Sequence, residues 1–203
     1  MLITDVLKKS LAALLLSSFF ALYLNASFVI RNDDILPQKT IGKIDEMGNE
    51  LKEKTGVGVY LAVVNDKNGT DIRTFEKKLS ENLEKPYVLL TLLLGSKKVD
   101  IVNTKDLNDK FDKEQVLSPF PWSGSILPLI TSKSKDFKAA VEAAMLNGYA
   151  DIVDQIANSY GIKLNSSIGS QNKITYNVVK IIFYGTFLLI LLNFLYHKFF
   201  KKR

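Results

Sequence analysis

The segment VGVYLAVV (57–64) carries one phenol hydroxyl as its only polar side-chain group. Its four valines favour extended backbone, and it lacks an apolar–polar alternation. That combination predicts a strand buried on both faces, in the interior of a sheet. KTG (54–56) precedes it, with Gly56 suited to the residue just past a helix C-terminus. The turn cluster NDKNGT (65–70) follows it.

Outward from this strand the periodicity changes. Pro37 opens a helical stretch in which Ile41, Ile44, Met47 and Leu51 recur at steps of three and four. On the other side, residues 71–84 return to helical spacing, with Ile72, Phe75, Leu79 and Leu83 on one face. PYVLLTLLL (86–94) reads as a second buried strand, and GSKK (95–98) turns it into VDIVN (99–103) as a hairpin. The first strand, the helix and the second strand suit a right-handed crossover. TKDLNDKFDKE (104–114) is polar, and VLSPFPWSGSILPLI (116–130) is broken by Pro119, Pro121 and Pro128. Residues 135–160 suit a long amphipathic helix with Phe137, Val141, Ala144, Ile152 and Ile156 as its core stripe. The order α-β-α-β-β-α implies an α/β fold, a small mixed sheet of about four strands sandwiched by helices.

The charges are unevenly placed. Of 27 cations and 21 acids, seven cations and one acid lie outside residues 27–173, leaving 20 of each inside. A neutral middle lacks the basic face that nucleic-acid binding needs, so no nucleic-acid partner is expected. The chain has no cysteine, which excludes disulfides, thiol catalysis and thiolate metal sites. The single histidine, His197, sits beside Lys198 near the C-terminus, so a Ser–His nucleophile inside the domain is excluded as well.

The basic excess belongs to two apolar ends. Residues 178–196 are apolar except for Lys180, Thr186 and Asn193, and as a helix they would span about 28 Å. Tyr176, Phe183 and Tyr184 stand toward one end, and Tyr196, Phe199 and Phe200 toward the other, as interfacial aromatics do. A transmembrane helix over 176–197 is therefore expected. Lys180 would snorkel at one border, and Lys198, Lys201, Lys202 and Arg203 would flank the anchor in a basic cytoplasmic tail, 198–203. At the other end, Lys8 and Lys9 precede the apolar run Leu11–Leu24, and Ala26 and Ser27 follow. Residues 1–26 thus read as a signal peptide cut after Ala26, or as an uncleaved signal anchor. Either option puts the middle outside the cytosol. The expected place is the bacterial inner membrane, with the lipid bilayer as anchor and the domain facing the periplasm. The Asn/Ser/Gly-rich stretch 161–173 is expected to be a polar linker.

A resemblance adds to this reading. DDIL (33–36) before a helix, TGVGVYLAVV (55–64) and PYVLLTLLLGSKKVDIVNT (86–104) share one pattern with ILPLI (126–130) ahead of FKAAVEAAMLNGYADIVDQIA (137–157). Over residues 32–160 this resembles the TPM domain, a family named for a thylakoid lumen protein, a photosystem II repair protein and a nematode modulator of acetylcholine receptors. The sequence departs from the family pattern at Ile35, where a glycine is usual, at EKPY (84–87) before the second strand, and at TKDLNDKFD (104–112) after the hairpin. The resemblance implies a single-pass exported domain of diverse use, since assembly or repair, receptor modulation and weak phosphatase activity have all been attached to members. The expected function is non-catalytic: binding, assembling or maintaining an integral membrane protein or complex in the same membrane. The alternative is a divalent-cation-dependent hydrolase of phosphate esters.

Few residues are candidates for chemistry. Asp106, Asp109 and Asp112 recur at steps of three and, with Asp34, offer oxygen ligands that Ca²⁺ or Mg²⁺ would accept. Interleaved Lys105, Lys110 and Lys113 suit a self-neutralised surface instead, and no cofactor is the leading expectation. Asp33 or Asp34 also suits a helix cap or a turn anchor. Asn68 in DKNGT is a turn residue and, on an exported loop, an N-x-Thr glycosylation acceptor with Asp66 two residues upstream. Phe120 and Trp122 either plug a sheet edge or form an exposed aromatic ledge for a membrane-protein partner.

Overall fold

The structure is a computed structural model that describes residues 27–66, 69–131, 136–169 and 171–199. Along its last helix, side chains are described at 181–194 and 196. The expected leader 1–26, Asn68, and Lys201, Lys202 and Arg203 lie outside the described residues, as do the side chains of Lys180 and Lys198.

The elements are β1 (Val29–Asn32), α1 (Gln38–Thr55), β2 (Gly58–Val64), α2 (Ile72–Ser80), β3 (Tyr87–Leu93) and β4 (Lys98–Asn103). A 3-10 turn (Lys105–Leu107) leads to α3 (Lys113–Val116), α4 (Leu127–Ile130), α5 (Phe137–Ser159) and α6 (Gln171–Phe199). The four strands stand in chain order in one mixed sheet: β1, β2 and β3 run parallel, and β4 returns antiparallel as the hairpin partner of β3. The α/β class and the four-stranded mixed sheet are as expected from the sequence. All seven residues of β2 are buried, as an interior strand requires.

The fourth strand is the one that periodicity did not reveal. VIRN (29–32) is only four residues long and its pairing slips between Val29 and Arg31, so it shows no alternation to read. It is secured from both ends. Asp45 accepts the Phe28 amide at 2.6 Å, and Asp33 accepts the amide of Asn65 at 3.0 Å, past the end of β2. Asn32 then closes the turn into α1, its Oδ1 accepting the amides of Ile35 and Leu36. Asp34 occupies the left-handed region at φ 56° and is exposed.

Helix α1 ends at Gly56, whose φ of 76° lets its amide reach the Lys52 carbonyl at 2.8 Å. Ile44, Met47 and Leu51 are buried against α5 and the first two strands. On α5, Val141, Ala144, Ile152 and Ile156 are buried as expected, but Phe137 is 55% exposed and not part of the core stripe. It stands at the first residue of the helix, on an open groove that it shares with Leu92, Leu94 and Val99. Because successive strand residues face opposite ways, Leu92 of β3 points to the side of α5 and Thr91 to the side of α2.

The stretch expected to be a free linker is docked at its start. Leu164 and Ser166 are buried, and Glu50 of α1 accepts the amides of Asn165 at 2.8 Å and Ser166 at 2.7 Å. The Lys54 ammonium adds 2.7 Å to the same carboxylate. Burial alone would raise the Glu50 pKa, but Lys54, Ser166 and Asn165 together hold it at about 2.

Helix α6 runs for 29 residues, and its described side chains from Ile181 to Phe194 are all exposed. Among the described residues no helix is long and apolar enough to cross a membrane.

Candidate functional site

The loop between α3 and α4 carries two exposed aromatic side chains, Phe120 and Trp122. Phe120 is 53% exposed and Trp122 48%, and their rings stack with centroids 5.1 Å apart and an interplanar angle of 14°. Of the two sequence readings, the exposed ledge describes them; neither plugs the sheet edge.

The loop under the ledge is closely determined. The amides of Ser123 and Gly124 both donate to the Phe120 carbonyl, at 3.1 and 2.8 Å, and the Ser125 amide donates to Val116. The Ser118 and Ser123 hydroxyls share a 2.6 Å hydrogen bond across the base of the turn. At Gly124 a Cβ would lie 1.7 Å from the Ser118 carbonyl oxygen, so only glycine permits this return. Pro119 and Pro121 restrict the backbone on either side of Phe120.

Below the turn lies a buried polar cluster. Asp151, fully buried on α5, accepts from the Ser125 hydroxyl, from Gln115 Nε2 at 3.2 Å and from Gln155 Nε2 at 3.1 Å. Gln155 also donates to Gln115 Oε1 at 2.8 Å and accepts the Asp112 amide at 2.9 Å. Gln115 Nε2 and Asn147 Nδ2 reach the carbonyls of Ser123 and Ser125. Every donor to the Asp151 carboxylate is uncharged, and each is itself fixed by α3, α5 or the loop. Such a satisfied network rigidifies what stands on it.

Beside the cluster runs an open polar groove of about 790 Å³, bordered by Asp109, Lys110, Asp112, Lys113 and Asn158. Two of the three carboxylates in the sequence triplet reach this groove, and Asp106 does not. Asp112 is engaged as the N-cap of α3, accepting the Gln115 amide at 2.9 Å, and Lys113 pairs with Asp100 at 2.7 Å. Asp34 follows β1, at a different end of the chain's path, and is not among the groove residues. Among the described residues no group of three or more His, Asp or Glu side chains is placed to hold a metal ion. The geometry therefore does not gather Asp34, Asp106, Asp109 and Asp112 into a Ca²⁺ or Mg²⁺ centre.

No family model matches this chain, and no curated protein matches it either. What the site can do thus rests on its own residues. It offers a stacked aromatic pair, held on a hydrogen-bonded loop, for burial against a partner.

Besides Asp66, whose carboxylate accepts the Ser96 amide and hydroxyl at the hairpin, two buried acids have roles that the sequence does not reveal. Asp151 stands one position from the core residue Ile152, where helical periodicity gives no sign of a polar contact. Glu76 of α2 is 1% exposed, between the expected stripe residues Phe75 and Leu79. Neither of its carboxyl oxygens has a hydrogen-bond partner in normal geometry. Burial lifts its pKa to about 7, and the nearby Asp100 carboxylate adds to the rise. The Thr91 hydroxyl, Lys113 and Arg73 pull the other way. A Glu in FEKK reads as a solvent-facing helix residue, so no local signal could have found it.

Proposed function

We propose that the chain is a membrane-tethered, exported, non-catalytic domain of the TPM type that binds and helps maintain a membrane protein complex. The observation that carries this reading is the stacked Phe120–Trp122 pair, held out of the fold on a fully hydrogen-bonded base. Aromatic anchors presented rigidly are what interface hot spots are made of, because little ordering entropy is lost on docking.

The tether is supported by α6. Large apolar side chains are exposed around the whole described stretch 181–194, and the sequence continues apolar from 178 to 196. A helix apolar all round finds no stable surface in water and is suited to lipid. Fixed to a bilayer, the domain meets partners in the same membrane at raised effective concentration. The neutral domain, without cysteine and without a histidine among residues 27–173, favours binding over catalysis.

The test is co-purification of the full chain from its native membrane after mild solubilisation. A defined integral membrane partner is expected with the native sequence and is lost with Trp122→Ala. Recovery of the chain alone from several detergents would count against the proposal. Because the chain has no cysteine, a single cysteine placed at exposed Lys98 reports topology, with labelling expected from the periplasmic side only.

A further inference from the structure

The segment ahead of α6 is fixed to the domain almost to its end. The Ser167 hydroxyl donates to Asp154 of α5 at 2.9 Å, the Gly169 amide donates to Ser167 Oγ at 3.1 Å, and α6 begins at Gln171. Four backbone steps from Ser167 to Gln171 reach about 14 Å at most. From Gln171 to residue 178, where the apolar run starts, helical rise adds about 10 Å. Ser167 therefore stands within about 24 Å of the hydrocarbon edge of a bilayer that α6 spans, and headgroups occupy roughly the first 6 Å of that distance.

The domain is larger than this reach. Helix α5 alone, with 23 residues, is about 34 Å long. Its first residue, Phe137, shares a groove with Lys97 of the hairpin, whereas Ala157 and Asn158 of its last turn share a cleft with Lys163 and Ser167. The fold thus has a hairpin end and a tether end. So short a connection lets only the tether end face the lipid.

We propose that this tether end, through Ile168, Lys163 and Tyr160, rests on the phospholipid headgroup layer and holds the domain upright on the membrane. The inference rests on the tethered reading above and adds to it a lipid-contacting surface and an orientation. The hairpin end then lies farthest from the lipid, and the Phe120–Trp122 ledge, which stands over Asp151 of α5, lies between the two ends.

The side chains of the tether end suit a lipid interface. Ile168 is 41% exposed and Tyr160 42%, and Lys163 is exposed as well. A tyrosine ring matches the boundary between headgroups and hydrocarbon, an isoleucine gains by leaving water, and an ammonium donates to a lipid phosphate. Lys110 lies 5.0 Å from the centre of the Tyr160 ring and brings a second ammonium. The acids Glu50 and Asp154 are engaged within the protein, Glu50 by Lys54, Asn165 and Ser166, and Asp154 by Ser167. That lessens their repulsion of phosphate. Each contact can be weak, because the tether keeps the surface at high effective concentration over the headgroups.

The experiment uses the full chain in nanodiscs of phosphatidylethanolamine and phosphatidylglycerol. Single cysteines carry bimane, in a chain that has no other cysteine. Quenching by a headgroup-nitroxide lipid should be about threefold stronger at Asn165→Cys than at Lys98→Cys, which lies toward the other end of α5. Leu189→Cys reports on the tether separately, through quenching by a nitroxide placed in the acyl chains. Adding Lys163→Glu and Ile168→Glu to Asn165→Cys should cut its headgroup quenching about twofold, with the melting temperature unchanged because both side chains face solvent. Quenching at Leu189 with equal headgroup quenching at Asn165 and Lys98 would overturn the surface and leave the tether standing. Undiminished quenching in the double glutamate variant would overturn it too, as proximity without contact. No quenching at Leu189 would remove the tether, and the surface with it.

Discussion

Asp151 and Glu76 are buried to nearly the same degree, yet the fold treats them in opposite ways. Asp151 lies where α5, α3 and the aromatic loop meet, and three uncharged donors hold its carboxylate. Glu76 lies where α2 covers β3 and β4, with both oxygens unpartnered and Asp100 close by. The contrast teaches that burial of an acid costs little when local elements converge on it, and much when a single short helix presses it onto a sheet. The first acid organises a functional surface; the second leaves α2 the least secure layer.

Asp151→Ala is expected to produce the largest effect. It leaves the buried Ser125 hydroxyl without its acceptor, removes one bond each from half-buried Gln115 and Gln155, and should destabilise the domain by about 3 kcal/mol in chemical denaturation. A loss under ~1 kcal/mol would mean that the network is not what holds the loop.

Glu76→Gln should act in the other direction, and with a pH signature. The folded state keeps Glu76 near pKa 7 against an ordinary 4.5, so it retains a proton that the unfolded chain releases between those values. Native stability therefore falls as pH rises through that window, and the penalty is complete above about pH 7. The variant should be more stable than the native chain by about 2 kcal/mol at pH 8, with the gain shrinking toward pH 4.5. A gain that does not change with pH would show that ionisation is not the cause.

Glu50 has the reverse sign. Its carboxylate is held at about 2, so its contribution is present above the ordinary 4.5 and is lost as pH falls through about 2. Glu50→Gln should cost about 1 kcal/mol near neutral pH. The amides of Asn165 and Ser166 should then exchange faster with deuterium, while those of β2 stay protected. Uniform loss of protection would mean that the docked segment is not a separate unit.

The smallest stability effect belongs to the ledge itself. Phe120→Ala and Trp122→Ala should each change stability by less than about 0.5 kcal/mol, since both rings are already half in solvent. Their effect belongs in partner recovery. A large loss of stability would reassign the pair to the core.

Much of the fold was legible before the structure. β2 and β3 were readable because uninterrupted β-branched and aliphatic runs bounded by turn residues have few alternatives to buried strands. The α1 boundary was readable at Gly56, but the turn after DDIL's first residue is closed by Asn32, while Asp33 accepts the distant Asn65 amide instead. β1 was not legible, because four residues contain too little pattern and its order comes from Asp45, Asp33 and the edge of β2. Phe137 looked like core because spacing along α5 says which face a residue is on, not whether anything packs over it. The aromatic ledge was half legible: the residue types were visible, and their exposure was not.

Local composition alone therefore settled the types of the longer elements, the neutral middle, its lack of cysteine and histidine, and the apolar character of the last helix's sequence. Those properties follow from short-range sterics and from counting, which need no partner across the chain. Tertiary contacts decided that Asp151 is satisfied and Glu76 is not, and that Asn165 and Ser166 dock on Glu50. Each of these depends on groups tens of residues apart meeting in space, where burial and pairing rather than residue type set the energy.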